Sequence, residues 1–344
     1  MNRYWMIYGA NGYTGRRAAE EAVVRGWRPV LAGRNRAAIT SLAESLDCPW
    51  RVFELDDSAD VAKELEGIGA VLHCAGPFSR TWRPMVEGCL SAGTHYLDIT
   101  GEIDVLEGIA ALSGAAAKKG IILMPAVGFD VVPSDCLAVM LSRRLPGATH
   151  LRLAFTGTGS ISRGTARTMV ENLPRGGRAR IDGEIQRVPI AWKSRRVPFS
   201  DGAKEAVTIP WGDVATAYYS TGIRNIEVYM ALPGPQIRAL RLGGGAFSLL
   251  RFIPSQWSCR LVRSLAGKNP GSSRGSLWGQ VEDAGGNTLG ATLLTPEPYR
   301  LTVLTALECV KRTMDAGAAG FHTPGAAYGG EFILEFEGVE YQEN

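Results

Sequence analysis

The sequence predicts an α/β protein: an N-terminal parallel, doubly wound sheet followed by a second α+β domain of mixed sheet and helices. Three observations predict it. Short apolar runs alternate with helix-patterned runs from the N-terminus to about residue 128. The connections between them are only a few residues long, as βα units require. The first run passes into its helix through a glycine-rich turn, "YGANGYTGR", three glycines spaced three apart at Gly9, Gly12 and Gly15.

Each element follows from its local pattern. Residues 3–9 read as a buried strand, and 13–26 as a helix with Ala18, Ala19, Ala22 and Val23 on one face and Gly26 as its stop. Strands are expected at 28–33, 50–55, 70–76, 94–100 and 121–128, with helices at 36–46, 58–67, 83–93 and 105–120 between them. After Pro133 the rhythm changes. A helix is expected over 133–145, a strand over 150–157, and short strands broken by Pro and Gly from about 175 to 235. Residues 236–266 read as helical and apolar-basic, and 274–295 as a hairpin around Gly-Gly-Asn. A helix over 299–317 ends before Gly317, and in the tail Thr323 N-caps a turn with Pro324 at its first position. The expected division is 1–130, 131–320, and a segment 321–344 returning to the first domain.

Composition narrows the function classes. With 344 residues, 45% hydrophobic and 21% charged, the chain is long enough for two domains with a sizeable core. A net charge of +3 does not make a nucleic-acid binder. Six cysteines and four histidines stand without zinc spacing or a disulfide framework, so no metal site is expected and the thiols read as reduced. "RYWMIYG" runs straight into the glycine turn as a strand rather than a signal peptide. No apolar stretch is long enough for a transmembrane segment, and a cytoplasmic location is expected.

A glycine turn between a first strand and a first helix suits a dinucleotide. One glycine permits the tight turn, one lets the backbone approach a pyrophosphate, and the last allows close helix–strand packing. The helix N-terminus adds free N–H groups. At the end of the second strand an acid would bind a ribose 2′-hydroxyl, but the chain reads Gly33-Arg34-Asn35. Arg34, assisted by Arg36, can pair with a 2′-phosphate, so the cofactor read is NADP(H). "HCAGPF" (73–78), "YLDITGE" (96–102) and "GFDVVPSD" (128–135) place three further polar loops at the same sheet edge.

The stretches "YGANGYTGR", "LAGRN", "CAGPFSRTWRPMVEGCLSAGTHYLDITGE" and "GFDVVPSDCLA" resemble the saccharopine dehydrogenase-like oxidoreductases, and within them the branch of bacterial trans-acting enoyl reductases. "SRGTARTMVENL", "IPWGDVATAYYSTGIRNIEVYM", "GSLWGQVEDAGG" and "GFHTPGAAYGGEFILEF" extend the resemblance over nearly the whole chain. It implies an N-terminal Rossmann domain, NADP(H) and hydride transfer. The cofactor-binding candidates are then Gly9, Asn11, Gly12, Tyr13, Thr14, Gly15, Arg34, Asn35, Gly76, Pro77 and Phe78. Two departures stand out: Arg163 replaces a glycine before Thr165, and Asp130-Val131-Val132-Pro133 replaces a D-P-G turn. The second tells against amino-acid opine substrates.

Reducing an enoyl thioester needs enolate stabilisation and a proton for the α-carbon. The catalytic candidates are Asp130, Ser134 and Tyr96. Ser134 and Asp135 read equally well as a helix N-cap and first-turn acid, and Asp98 and Glu102 as residues that order a loop. Arg163, Thr165 and Arg167 are the substrate-binding candidates. They open a segment, 163–196, with nine basic residues against three acids, a field that would draw in an anionic substrate or an acyl carrier protein. The apolar-basic stretch 237–265 reads as acyl tunnel, interface or membrane contact, and a homodimer is the expected assembly. The leading reading is NADPH-dependent reduction of an activated C=C bond. The alternatives are C=N reduction and a non-catalytic NADP-binding protein.

Overall fold

The computed structural model describes residues 4–156, 176–242, 274–315 and 317–343. It divides into two compact units, Met1–Val132 with Tyr299–Ala327, and Pro133–Pro298 with Tyr328–Asn344.

The alternating series is present with shifted boundaries: β1 (Tyr4–Tyr8), α1 (Tyr13–Val24), β2 (Val30–Gly33), α2 (Arg36–Leu46), β3 (Trp50–Val52), α3 (Ser58–Glu64), β4 (Ile68–His73), α4 (Phe78–Ala92), β5 (His95–Asp98), α5 (Ile103–Ala110), α6 (Ser113–Lys119) and β6 (Ile122–Met124). Helix α1 buries Ala18, Ala19 and Ala22, small side chains that let it lie close on the sheet. Helix α4 begins five residues before the expected start at 83 and takes Pro84 into its interior. The single helix expected over 105–120 is two. The break leaves Ser113 Oγ to accept from the Phe321 amide at 3.0 Å.

The second unit contains α7 (Val132–Arg144, which enters it at Pro133), β7 (Ala148–Phe155), β8 (Gly177–Ile181), β9 (Glu184–Val188), β10 (Ser194–Phe199), β11 (Gly202–Thr208), α8 (Asp213–Thr221), β12 (Asn225–Ala231), α9 (Gly234–Leu242), β13 (Gly275–Asp283) and β14 (Thr288–Thr295). The chain then makes α10 (Pro298–Asp315), β15 (Gly320–Phe321), α11 (Pro324–Tyr328), a short 3-10 turn at Gly330–Glu335 and β16 (Glu340–Glu343).

In the first unit the strand order is β15-β6-β5-β4-β1-β2-β3, with every neighbouring pair parallel. The order reverses between β1 and β4, the switch point where open parallel sheets bind ligands at their carboxyl edge.

The second unit holds the expected mixed sheet, in the order β10-β11-β12-β7-β13-β14-β16, with β8 and β9 off that path. It curls, so that β10 returns towards β13: Arg195 Nη2 donates to Gln280 Oε1 at 3.2 Å, and the Ser200 and Ser276 hydroxyls meet at 3.3 Å. Val197, Phe199, Tyr229 and Trp278 fill the interior of the curl. Helix α7 packs on β13 over Gly279, where a Cβ would lie 2.8 Å from Leu141 Cδ1. The β13–β14 hairpin turns as expected at Gly285-Gly286-Asn287, with Asp283 Oδ1 accepting from the Gly285 and Asn287 amides.

The units differ from the expected division 1–130, 131–320 and 321–344. From Tyr299 onward α10 groups with the first unit, because Thr305 Oγ1 donates to the Val127 carbonyl at 2.8 Å and Thr302 Oγ1 accepts from the Phe129 amide at 3.0 Å. Strand β15 extends the first sheet beside β6, while Tyr328–Asn344 joins the second unit, where β16 pairs with β14. Thr323 Oγ1 caps the tail turn at the Ala326 amide.

The described part of the basic segment, from residue 176 on, does not form one basic face. Arg163, Arg167 and Arg175 lie outside the described residues. Arg180 is buried, donating to the Val214 and Gly183 carbonyls beneath Tyr218, and Lys193 pairs with Glu227. Of the stretch 237–265, only the α9 end is described.

Ser134, a catalytic candidate, is wholly buried in the second unit and donates to Asp213 Oδ1 at 2.6 Å. Its hydroxyl is an internal tie rather than a proton donor to substrate. Ser134→Ala is expected to lower unfolding stability by about 1–3 kcal/mol. Denaturant melts of the variant would check this, with NADPH affinity unchanged.

Candidate functional site

The glycine turn sits at the switch point and is closed by its own backbone. Gly9 follows β1 with φ +81°, and its amide donates to the Ala32 carbonyl at the end of β2 at 2.7 Å. The Gly12 amide donates back to the Gly9 carbonyl at 2.9 Å. A Cβ on Gly15 would stand 2.3 Å from that carbonyl oxygen, and one on Gly9 would stand 2.9 Å from Ala75 Cβ in the loop after β4. Side chains at these two positions would fill the turn and part the two loops. Gly12 is the N-cap of α1 and no side chain caps the helix, so its first-turn amides can receive an anion. This cradle fits a dinucleotide pyrophosphate.

The flanking candidates divide. Asn11 is exposed, with Oδ1 3.2 Å from where a Cβ on Gly33 would lie. Thr14 is half-buried in the first turn of α1. Tyr13 is exposed, packs edge-on against Tyr299 at 4.9 Å and carries the Arg17 guanidinium over its ring. Arg34 is exposed just past β2, where a 2′-phosphate reader is needed. Asn35 caps α2, its Oδ1 accepting from the Ala38 amide at 3.1 Å. Arg36 lies over the Trp50 ring, 5.6 Å from its centroid.

The loop after β4 is held from below. Gly76 is exposed, the Gly76–Pro77 bond is cis, and Pro77 and Phe78 are buried. The Phe78 and Ser79 amides donate to Glu102 Oε1 and Oε2 at 2.9 and 3.2 Å. A buried carboxylate thus already occupies the α4 N-terminus, where the helix dipole favours negative charge. Pro77 and Phe78 therefore support the loop, and Gly76 is its accessible part. Glu102 had only the reading of a loop-ordering residue, because it lies 23 and 24 residues from the amides it binds.

A group of carboxyls occupies the β5 and β6 ends of the same edge. Asp98 is wholly buried. Its Oδ1 accepts from the Thr100 and Ala126 amides at 2.9 and 2.8 Å, and its Oδ2 accepts from the Tyr96 hydroxyl at 2.6 Å. Tyr96 is itself wholly buried, with its pKa pushed well up by burial and by the Asp98 charge. It therefore serves Asp98 rather than a substrate, which corrects its reading as a catalytic candidate. Asp130 is only partly buried, with Oδ2 3.3 Å from the position of a Cβ on Gly101. Burial raises both Asp98 and Asp130 to about 6. Of the three catalytic candidates, Asp130 alone remains at this edge and accessible. Arg163, Thr165 and Arg167 lie outside the described residues.

The Asp98 value has a consequence for stability. Its folded pKa lies above the ordinary value of 3.8, so protonation favours the fold. Its contribution of about 3 kcal/mol is present in full below the unfolded value and is lost as pH rises through about 6. Asn at this position keeps an acceptor for the Thr100 and Ala126 amides and offers the Tyr96 oxygen a donor. Asp98→Asn is therefore expected to flatten the fall in melting temperature between about pH 4 and about pH 7. An unchanged slope in thermal melts would contradict this.

The family model of the saccharopine dehydrogenase NADP binding domain matches residues 5–124. A Mycobacterium tuberculosis protein named as a candidate trans-acting enoyl reductase is 32% identical over 184 residues, which cover 49% of this chain and 43% of that protein. The trans-acting enoyl reductase of Mycobacterium bovis is 33% identical over 147 residues, covering 40% of this chain and 35% of that protein. The chain thus spans less than half the length of these curated relatives. Among solved structures, apo saccharopine dehydrogenase (L-Glu forming) from Saccharomyces cerevisiae covers 100% of both chains with a TM-score of 0.69 at 12% identity, a likeness of fold. With its glycine cradle at the β1–β4 switch point, the segment 5–124 is similar to the saccharopine dehydrogenase NADP binding domain.

Proposed function

We propose that this protein is an NADPH-dependent reductase that adds hydride and a proton across an activated C=C bond, in an enoyl thioester of lipid or polyketide metabolism. The observation that carries the reading is Asp130: a partly buried carboxyl, raised to about 6, at the same sheet edge as the dinucleotide turn. The likeness to enoyl reductases favours C=C over C=N as the bond reduced.

Bound NADPH supplies the hydride. The chain's own residues do the rest. The amides of the glycine turn and of the first turn of α1 hold the pyrophosphate, and Arg34 holds the 2′-phosphate. Glu102 fixes the start of α4 and with it the loop carrying Gly76. The protonated Asp130 carboxyl gives its O–H proton to the substrate α-carbon as the enolate electron pair forms the new C–H bond, and is left as carboxylate. Water reprotonates it before the next turnover. Delivery of the acyl group on coenzyme A or on an acyl carrier protein, with Arg163, Thr165 and Arg167 as substrate contacts, belongs to the same proposal.

Two variants and one substrate comparison test this. Arg34→Ala is expected to weaken NADPH about 10- to 100-fold, from the loss of a charge-assisted contact, and to leave NADH nearly unchanged. Equal losses for both would remove Arg34 from the 2′-phosphate. With Asp130 as acid, turnover should fall as pH rises above about 6. Asp130→Asn should lower kcat by about 10²–10⁴ and abolish that limb. NADPH oxidation should follow enoyl thioesters on coenzyme A or carrier protein, not 2-oxo acids paired with amines. Turnover confined to the second panel would replace C=C by C=N reduction. NADPH binding without turnover in either would favour a binding protein.

A further inference from the structure

His73 closes β4 and is completely buried. Three aromatic rings surround it, Tyr8 at 5.6 Å, Phe78 at 5.3 Å and Tyr96 at 6.2 Å between centroids. Its Nε2 lies 2.9 Å from Thr81 Oγ1, and Thr81 Oγ1 lies 2.8 Å from the Ala75 carbonyl oxygen. A hydroxyl has one proton and a carbonyl can only accept. Thr81 therefore donates to Ala75, and the contact with His73 must be a donation from Nε2–H. That fixes the tautomer and leaves Nδ1 bare.

Nδ1 is buried and has no hydrogen-bond partner. A phenyl ring would fill the same aromatic pocket without the cost of an unsatisfied nitrogen. Only the Nε2 proton distinguishes the imidazole usefully here, and it is spent on Thr81. Burial holds the imidazole pKa down to about 3, so the ring stays neutral. At the far end of the chain of bonds, Ala75 is the residue on which Gly9 packs, its Cβ and amide nitrogen each 2.9 Å from where a Gly9 Cβ would stand.

We propose that His73 is a positioning residue for the dinucleotide: its Nε2–H donates to Thr81 Oγ1, which orients the Thr81 hydroxyl proton onto the Ala75 carbonyl and pins the 74–77 segment against the glycine turn. The proposal rests on the assignment of that turn to NADP. It makes the end of β4, beneath the surface, a determinant of how well the cofactor is held.

The test is NADPH titration of the full chain, followed by nicotinamide fluorescence, with a thermal melt of each variant. Gln at position 73 carries an amide nitrogen near the Nε2 position, whereas Asn carries one near Nδ1. His73→Phe, His73→Asn and Thr81→Val are each expected to weaken NADPH binding about five- to tenfold and reduce the fluorescence gain on binding. His73→Gln should stay within about twofold of the original chain. The double variant His73→Phe with Thr81→Val should be no worse than either single one, because both cut the same chain of bonds. Unchanged binding in His73→Phe overturns the proposal. So does a loss in His73→Gln equal to that in His73→Phe, or additive losses in the double variant. If His73→Phe does not fold, Thr81→Val and His73→Gln decide it. Failure of the original chain to bind NADPH would overturn the cofactor assignment itself and this proposal with it.

Discussion

The first unit is organised around the closeness of Gly9 to its neighbours. Its amide is tied to the end of β2, its carbonyl receives the Gly12 amide and lies where a Gly15 side chain would be, and its Cα faces Ala75 after β4. One residue thus sets the spacing of three strands at the switch point. No side chain larger than hydrogen fits at Gly9 or Gly15, and the positive φ at Gly9 favours glycine independently. The uncapped start of α1 follows from the same packing, since the turn leaves its amides facing outward along the carboxyl edge.

Beside that cradle the structure gathers carboxyls in a poorly solvated place, and each is accommodated differently. Glu102 faces the amides of α4, where oriented N–H groups compensate its charge. Asp98 takes two amides and a tyrosine hydroxyl, yet burial outweighs these bonds and its pKa stays raised. Asp130 is raised by burial while remaining partly accessible. The gradation separates carboxyls enclosed by amides and a hydroxyl from one that stays partly accessible. His73 adds a neutral counterpart, a ring kept for one donated proton.

Helix α10 shows how far apart in sequence the supports of this edge lie. Thr302 and Thr305 bind the backbone at Phe129 and Val127, and Tyr299 packs on Tyr13 at the glycine turn. Both sides of the carboxyl edge of the first unit therefore lean on a helix that comes after the Pro133–Pro298 part of the second unit in the chain.

The sequence by itself determined the alternation of strand and helix, the glycine cradle, the basic residue after β2 and the β13–β14 turn. Each is a local pattern in which periodicity, a positive φ or a short polar side chain acts within a few residues. Only the tertiary structure decided which polar groups meet. Tyr96, Ser134 and Asp130 look alike in the sequence as hydroxyl and carboxyl groups near sheet ends, but burial turns the first two inward, onto Asp98 and Asp213. Glu102 reaches the amides of α4, Ser113 meets Phe321, and α10 leaves the second unit for the first, all through contacts spanning 23 to 208 residues. A buried donor or acceptor must find a partner wherever the packing brings one, and that choice is made by the assembled sheet rather than by neighbours in the chain.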